Sequence, residues 1–285
     1  MSSSFDSGSW IVLSSMQQNI KEKIEKLGKP LREWDIQINY GIKTGYNDAF
    51  IIDANKRNEL LQKCPKADEI IRPILRGRDV QKYSCSFNNL YLINSHNGVK
   101  ANNVPRVDVM NDYPIIFDFL NQFKEKIQLR TDQGDHWSNL RNCAYLFEFD
   151  KPKIIFPNMT KFLPFYYDVD GYYTNQKCFI ITGKHIAFLT AFLNSSLFKF
   201  CFKDNFPELQ GGTRELSKIF FDKIPVKEID DGLNLKFEEK VIEVQSARMN
   251  KNNSRLIEIE IDNLIFDVFQ ISDKERNLIG FIEIK

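Results

Sequence analysis

Residues 211–225 read GGTRELSKIFFDKIP, and the prediction for the whole chain starts from this stretch. Gly211 and Gly212 carry no Cβ, so a backbone there can pass close to a bulky group. Arg214 and Lys218 are four residues apart, and one helical turn would place both cations on the same side. An apolar anchor follows, and a proline ends the element. The stretch predicts a tight cationic turn suited to a phosphate-rich partner, although an ordinary surface loop could carry the same residues.

The composition indicates a soluble globular protein with one sizeable domain or two smaller ones. Of its 285 residues, 42% are hydrophobic and 27% are charged, which is typical of folded rather than disordered chains. The 24 phenylalanines predict a core built from aromatic packing. The five cysteines are odd in number, widely spaced and never arranged as CxxC. They argue against a disulfide framework or a zinc site and favour a reducing compartment.

The sequence predicts a cytoplasmic protein without a membrane span. The polar start, residues 1–10, is not followed by the apolar segment of a signal peptide. The most apolar segment, residues 185–198, contains no Asp, Glu, Lys or Arg. It is shorter than the roughly 20 residues that a membrane-spanning helix needs.

Charge is divided unevenly along the chain. The net charge of +1 is the balance of +5 over residues 1–223 and −4 over residues 224–285. Two mildly basic blocks, residues 43–83 and 151–223, lie in the first part. This division favours a basic face that meets an anion and an acidic tail that points elsewhere. A solvated surface without a binding role would give the same counts.

The hydrophobic pattern predicts an α+β fold, a twisted mixed β-sheet packed with helices and followed by a C-terminal helical segment. Alternating apolar residues or short apolar runs predict strands over residues 34–40, 90–94, 153–157, 162–168 and 178–182. Helical periodicity predicts helices over residues 14–28, 56–63, 184–202, 237–249 and 255–269, another opened by Pro114, and a last helix that starts at Ser272. Thr182 is the predicted cap of the helix over 184–202.

Lys43 and Thr44 are the first candidate ligand-binding residues. They lie at the tip of a glycine-bounded loop, residues 41–53, that leads into a strand. A cation and a hydroxyl at such a tip can meet a phosphate, but a hairpin turn with solvent-facing polar residues fits equally well. The loop has neither the GxGxxG pattern of dinucleotide-binding proteins nor the GxxxxGK pattern of a P-loop.

A cluster of arginines forms the second candidate. Arg76 and Arg78 flank Gly77 within the segment IIRPILRGRDVQKY, residues 70–83. Arginine is the side chain best suited to bidentate contacts with phosphate or with the edge of guanine. Internal salt bridges with Asp79 are the alternative.

Patterns that would indicate catalysis are missing. His96, His136 and His185 are isolated, and no HxxxH spacing occurs, so no metal site is predicted. No GxSxG motif is present. Asp168 and Asp170 precede Gly171 in a predicted turn and are expected to be solvated. We therefore predict no catalytic residue in this chain.

Seven sequence blocks, taken in order, resemble a known family. They are IQINYGIKTGYNDAFIID (36–53), IIRPILRGRDVQKY (70–83), YPIIFDFL (113–120), HWSNLR (136–141), KPKIIFPNM (151–159), FLNSSLFKF (192–200) and GGTRELSKIFFDKIPV (211–226). Together these blocks are similar to the TaqI-like C-terminal specificity domain. That domain is the target-recognition domain of adenine-specific DNA methylases and of the type IIG restriction-modification enzymes that contain them.

The resemblance implies a module that reads a short sequence in double-stranded DNA while a separate methylase domain flips out and methylates an adenine. The methylase uses S-adenosylmethionine and an Asn-Pro-Pro-Tyr-type tetrapeptide. This sequence has no two adjacent prolines and no FxGxG motif. We therefore expect the specificity portion alone, without a cofactor or an enzymatic activity of its own. Its expected partners are DNA and a methylase domain or subunit, with a nuclease in those enzymes that carry one.

The similarity covers residues 34–225 and implies three segments: a linker helix at 1–33, the DNA target-recognition domain at 34–225, and a helical tail or spacer at 226–285. It favours Lys43, Thr44, Arg76, Arg78, Arg214 and Lys218, beside Gly211 and Gly212, as contacts to phosphates or a DNA groove. The loop 95–108 and the region around Lys161 are the predicted base readers. Two alternatives stay open, a scaffold similar to type I specificity subunits and an intact enzyme with unrecognised chemistry.

Overall fold

The structure is a computed structural model that describes residues 15–283. Its helices are α1 (Ser15–Leu27), α2 (Asn47–Phe50), α3 (Ala54–Lys63), α4 (Val109–Asp112), α5 (Pro114–Asn121), α6 (Lys124–Ile127), α7 (Ile186–Asn194), α8 (Ser196–Phe202), α9 (Lys218–Phe221), α10 (Asp231–Met249), α11 (Arg255–Val268) and α12 (Asp273–Ile279). Its strands are β1 (Lys29–Pro30), β2 (Ile36–Tyr40), β3 (Ile51–Asp53), β4 (Ile71–Leu75), β5 (Val80–Gln81), β6 (Ser84–Cys85), β7 (Leu90–Ile93), β8 (Lys153–Pro157), β9 (Met159–Thr160), β10 (Tyr166–Asp168), β11 (Tyr173–Thr174), β12 (Cys178–Gly183), β13 (Arg214–Glu215) and β14 (Pro225–Val226). The predicted α+β class with C-terminal helices is confirmed.

Strands β10, β8, β12 and β2 form, in that order, an antiparallel sheet. Ile155 of β8 lies opposite Tyr166 on one side and Ile180 on the other. Successive side chains of a strand point to opposite faces. Accordingly, Ile154 and Phe156 pack into one hydrophobic core and Ile155 into a second. Because both faces are covered, β8 and β12 are continuous apolar runs, and the sheet separates the two cores.

The second core lies under a smaller mixed sheet in the order β11, β4, β7, β3. Strand β11 runs parallel to β4, whereas the other two pairings are antiparallel. Helices α3 and α5 contribute Leu60, Ile116 and Leu120 to the same core. The turn at residues 175–177, between β11 and β12, joins this sheet to the first one.

The first core is packed with phenylalanines, as the composition predicted. Phe188 of α7 contacts Phe237, and Phe192 contacts Phe198, with ring centroids 5.1 and 5.5 Å apart for the two pairs.

No single helix among residues 15–283 is long and apolar enough to cross a membrane. Helices α7 and α8 reach that length and composition only as a pair bent by 66°, and they are buried in the first core.

The prediction of one continuous helix over residues 184–202 is wrong. Ser195 has an extended conformation between α7 and α8, and its hydroxyl accepts a hydrogen bond from the backbone N–H of Phe198. A serine that caps a new helix in this way ends the preceding one. Thr182 is not the cap of α7, because its hydroxyl donates to Glu148 and His185 occupies the cap position.

The C-terminal helices pack on the first core rather than standing apart from it. Phe237, Val241 and Val244 of α10 are fully buried in this core. Gln245 accepts a hydrogen bond from the backbone N–H of Tyr167 in the central sheet. The domain boundaries at 33/34 and 225/226 stay predictions. The C-terminal helices and the β10-β8-β12-β2 sheet share one hydrophobic core.

The expectation that Asp168 is solvated is wrong. The side chain of Asp168 is fully buried, and one oxygen lies 2.6 Å from the ammonium of the equally buried Lys153. The backbone N–H groups of Asp170 and Tyr172 donate to the same carboxylate. Burial raises the pKa of Asp168 despite these partners. The pair holds the end of β10 to β8, so it has a structural role.

Candidate nucleic-acid interface

An open groove of about 820 Å³, which we call the basic groove, lies where three backbone segments meet. These are the turn after β4, the segment that follows β8, and the 175–177 turn before β12. Gly77 permits their close approach, since a Cβ there would lie only 3.0 Å from the carbonyl oxygen of Lys177. Four cations line this groove, Arg76, Arg78, Lys161 and Lys177, and none of its described lining residues is acidic.

Arg76 is held by its own turn. Its Nε and one terminal nitrogen each lie 2.9 Å from an oxygen of Asp79, and its backbone N–H donates to the same carboxylate. These hydrogen bonds raise the pKa of Arg76 above its ordinary value. Asp79 is buried behind the arginine and also accepts a hydrogen bond from Asn88. The internal salt bridge considered for this cluster is therefore present, and it fixes the turn that carries Arg78.

The other three cations of the groove have no such partner. Arg78, Lys161 and Lys177 are exposed, and none of them forms an ion pair with any residue in the described range 15–283. Met159 and Phe162 line the same groove with half of their surface exposed. Unpaired cations beside apolar side chains form a surface that can bind phosphates and contact bases.

The stretch 211–225 contains strand β13, which pairs with a strand that lines this groove. Strand β13 pairs antiparallel with β9, so that Arg214 lies opposite Thr160 and Glu215 opposite Met159. The backbone N–H of Leu216 donates to the carbonyl of Asn158. The segment 158–162 is thereby fixed by a short ribbon. Because the strands are antiparallel, the Gly211-Gly212 loop leaves the ribbon at the same end as Lys161 and Phe162.

The prediction that a helical turn joins Arg214 and Lys218 is wrong. Arg214 belongs to a strand and is only 7% exposed. Its guanidinium donates to Asp204, Glu208 and the carbonyl of Phe206. These partners belong to the preceding loop, so Arg214 organises residues 204–208 and its guanidinium is already occupied within the protein.

The two glycines serve the turn itself rather than a close approach. Gly211 and Gly212 have φ values of +77° and +75°, which side chains disfavour. Among the described residues, no atom lies within 4 Å of a Cβ built on either glycine. The loop tip is therefore open, and its conformation is the reason for the glycine pair.

Three further candidates lie outside the basic groove. Lys218 pairs with Asp222 at 2.8 Å and lines a separate hollow beside β2. Thr44 is buried, and its hydroxyl donates to Asn47 at 2.6 Å. The hydroxyl proton is therefore used inside the loop and is not directed to a phosphate.

Lys43 belongs to a second cavity of about 530 Å³ on the other side of the 175–177 turn. Its ammonium lies 2.7 Å from Asp132, which also pairs with Arg141 at 2.9 Å. Gln176 lines this second cavity, whereas Asn175 and Lys177 line the basic groove. The turn is thus a shared wall, and the two concave surfaces are neighbours.

The structure brings together Arg76, Arg78 and Lys161 of the predicted residues, and adds Lys177, which sequence reasoning missed. Lys177 follows Asn175 in a turn between two strands, and Asn175 accepts a hydrogen bond from its backbone N–H. The sequence signal was the polar NQK triplet between the apolar strand residues. Its position opposite Gly77 depends on tertiary packing.

Residues 72–226 match the TaqI-like C-terminal specificity domain. This match covers more than half of the chain, and the chain belongs to that family of specificity domains.

Two solved structures share the fold. The type IIG restriction endonuclease BpuSI matches 90% of this chain at 16% identity with a TM-score of 0.54. The type IIL restriction-modification enzyme MmeI, solved in complex with DNA, matches 86% at 12% identity with a TM-score of 0.57. The matched regions cover 33% and 34% of those two proteins. This chain therefore spans about a third of their length.

Proposed function

We propose that this chain recognises a short sequence in double-stranded DNA for a restriction-modification system. The observation that carries the proposal is a set of three cations, Arg78, Lys161 and Lys177, that line one groove and form no ion pair within residues 15–283, in a member of a specificity-domain family. The DNA complex of MmeI, which shares this fold, supports it.

The groove offers both kinds of contact that sequence recognition needs. Phosphate contacts set the position of the protein, and contacts to base edges give specificity. Arg78 and Lys177 stand on two fixed turns and are the proposed phosphate ligands. Lys161 lies on the ribbon-supported segment beside Phe162 and Asn158, and we propose that this segment reads base edges.

Methylation and cleavage are proposed to belong to a partner domain or subunit. The chain matches only about a third of BpuSI and MmeI. S-adenosylmethionine would then be bound by the methylase partner, and the chain alone would be inactive. The system would act in the cytoplasm.

Fluorescence anisotropy with labelled duplex DNA at several salt concentrations tests the proposal. Arg78→Ala should weaken binding by roughly 1 kcal/mol or more and should reduce the slope of log K against log salt by about 0.9. Lys26→Ala is the matched control, because Lys26 is an exposed lysine on α1, away from the groove. Equal affinity and equal slopes for both variants would remove the groove from the binding site.

The outer face of α10 supports the second candidate function, a scaffold that binds a methylase. Leu235, Ile242 and Met249 follow one another at seven-residue intervals and are about half exposed. Such spacing is typical of helix pairing. Gel filtration with the methylase should show a stable complex that Leu235→Glu together with Ile242→Glu abolishes. DNA binding that persists in this variant would separate the two roles.

A further inference from the structure

The second cavity contains a buried polar atom that the fold leaves unused. Asn94 is only 5% exposed, and its backbone N–H donates to the carbonyl of Ile70 at 2.7 Å. Its side-chain Oδ1 has no hydrogen-bond partner among residues 15–283. Leaving a buried acceptor unpaired is costly, so such atoms are rare in native proteins. Asn94 lines the cavity, where a ligand could supply the missing donor.

Aromatic side chains give the cavity a flat surface. Tyr40 is 55% exposed, and its ring is held by Phe179, with the ring centroids 4.2 Å apart. Tyr145 is half-buried and lines the same cavity. A planar heterocycle stacks favourably on such rings, as bases do on aromatic side chains in nucleic-acid complexes.

The rim of the cavity carries excess positive charge. Lys43 and Arg141 both line it, and both pair with the single carboxylate of Asp132. Each of the two cationic side chains is about half exposed. One carboxylate cannot neutralise two cations, so the rim can hold an anion next to whatever enters the cavity.

These features together fit one chemical class of ligand. We propose that the second cavity accepts a single unpaired nucleobase, with Asn94 bonding its edge, Tyr40 stacking on its face and the Lys43–Arg141 pair holding the adjacent phosphate. The base can come from bound DNA, in which case the inference rests on the proposed function, or from a free nucleotide. The 175–177 turn lines both the cavity and the basic groove, so DNA bound in the groove would lie next to a wall of the cavity.

The first test uses the full chain and a duplex selected from a random pool, with a mismatch introduced at one position at a time. A mismatched base is cheaper to extrude than a paired one. Wild-type protein should bind one mismatched duplex at least about tenfold more tightly than the paired duplex, and Asn94→Leu and Tyr40→Ala should lose this preference. Arg78→Ala should bind both duplexes more weakly and keep their ratio.

The second test measures binding of dAMP, dGMP, dCMP and dTMP by saturation-transfer NMR. A signal that Asn94→Leu removes, without a mismatch preference, would assign the cavity to free nucleotides. Loss of duplex binding altogether with retained nucleotide binding would reject the proposed function but keep the cavity. Thermal melting shows whether Asn94→Leu is folded, and the exposed Tyr40→Ala provides a second variant. The inference is overturned if the wild type shows neither a mismatch preference nor nucleotide binding, or if folded variants match the wild type in both tests.

Discussion

Glu258 joins the C-terminal helices to the rest of the protein, and Glu258→Gln tests how strongly. One carboxylate oxygen lies 2.7 Å from the ammonium of Lys82, and both side chains are about 95% buried. The other oxygen accepts hydrogen bonds from Arg248 at 2.6 Å and from the hydroxyl of Ser254 at 2.7 Å. Glutamine keeps the shape of the side chain but removes the carboxylate charge that pairs with the buried ammonium of Lys82.

The expected loss follows from burial. Removing one partner of a buried ion pair costs about 3–5 kcal/mol, because an uncompensated charge remains in the interior. Glu260 is the matched control on the same helix: it lies 2.6 Å from Lys240, but its side chain is 56% exposed. An exposed pair of this kind contributes about 0.2–1 kcal/mol. Glu258→Gln should therefore lower the free energy of unfolding several times more than Glu260→Gln.

Urea denaturation at pH 7 measures both losses, and repeating it at lower pH adds a second check. Burial alone would raise the pKa of Glu258, but Lys82 and the hydrogen-bond donors hold it below its ordinary value. The stability from this carboxylate is therefore present above the unfolded-state pKa and is lost as pH falls through the folded one. The gap between wild type and Glu258→Gln should narrow in acid. Equal losses for the two variants, or a loss below about 1 kcal/mol for Glu258→Gln, would refute the reasoning.

Three further predictions concern single residues. Lys199 is buried, donates to the carbonyl of Leu163 and has no carboxylate partner among residues 15–283. Burial places the pKa of Lys199 well below its ordinary value. Between the folded and unfolded pKa values the unfolded state therefore binds one proton more than the folded state. Urea denaturation should show wild-type stability rising by up to about 1.4 kcal/mol per pH unit between the folded and unfolded pKa values, a slope that Lys199→Met lacks and Lys26→Met retains. Ser195→Ala removes the cap of α8 and should lower the free energy of unfolding by about 1 kcal/mol, and with it the melting temperature. An unchanged melting temperature would show that the bend is independent of the hydroxyl. Gly212→Ala forces a side chain into positive φ and should cost about 1–2 kcal/mol of unfolding free energy, whereas no cost would show that the loop relaxes.

The sequence was most informative where local pattern and tertiary environment agree. The KIIFP and CFIIT runs predicted strands because strands covered on both faces are apolar throughout. The last helix starts at its cap Ser272 as predicted, and Ser272 and Glu275 form a capping box whose two hydrogen bonds are local. The apolar residues of 184–202 follow a helical period across the break, so only the hydroxyl of Ser195 marks the bend.

The interface was predicted less completely, because exposure of a cation depends on distant residues. Arg78 and Arg214 look alike in sequence, yet the second is surrounded by Asp204 and Glu208 of a folded-back loop. Lys177 lines the groove only because the backbone at Gly77 packs closely against the carbonyl oxygen of Lys177. Asn94 shows the same limit, since its unpaired oxygen is a property of the packed structure.

Binding selection from a random duplex pool tests sequence recognition through the basic groove most directly. The wild-type chain should enrich one short motif, and the variant with Arg78→Ala, Lys161→Ala and Lys177→Ala should lose most of its affinity for it. Removing the two proposed phosphate contacts, Arg78 and Lys177, would reduce the slope of log K against log salt by about 1.8. Enrichment of no motif, or a triple variant that enriches the same motif with undiminished affinity, would contradict DNA reading by this groove.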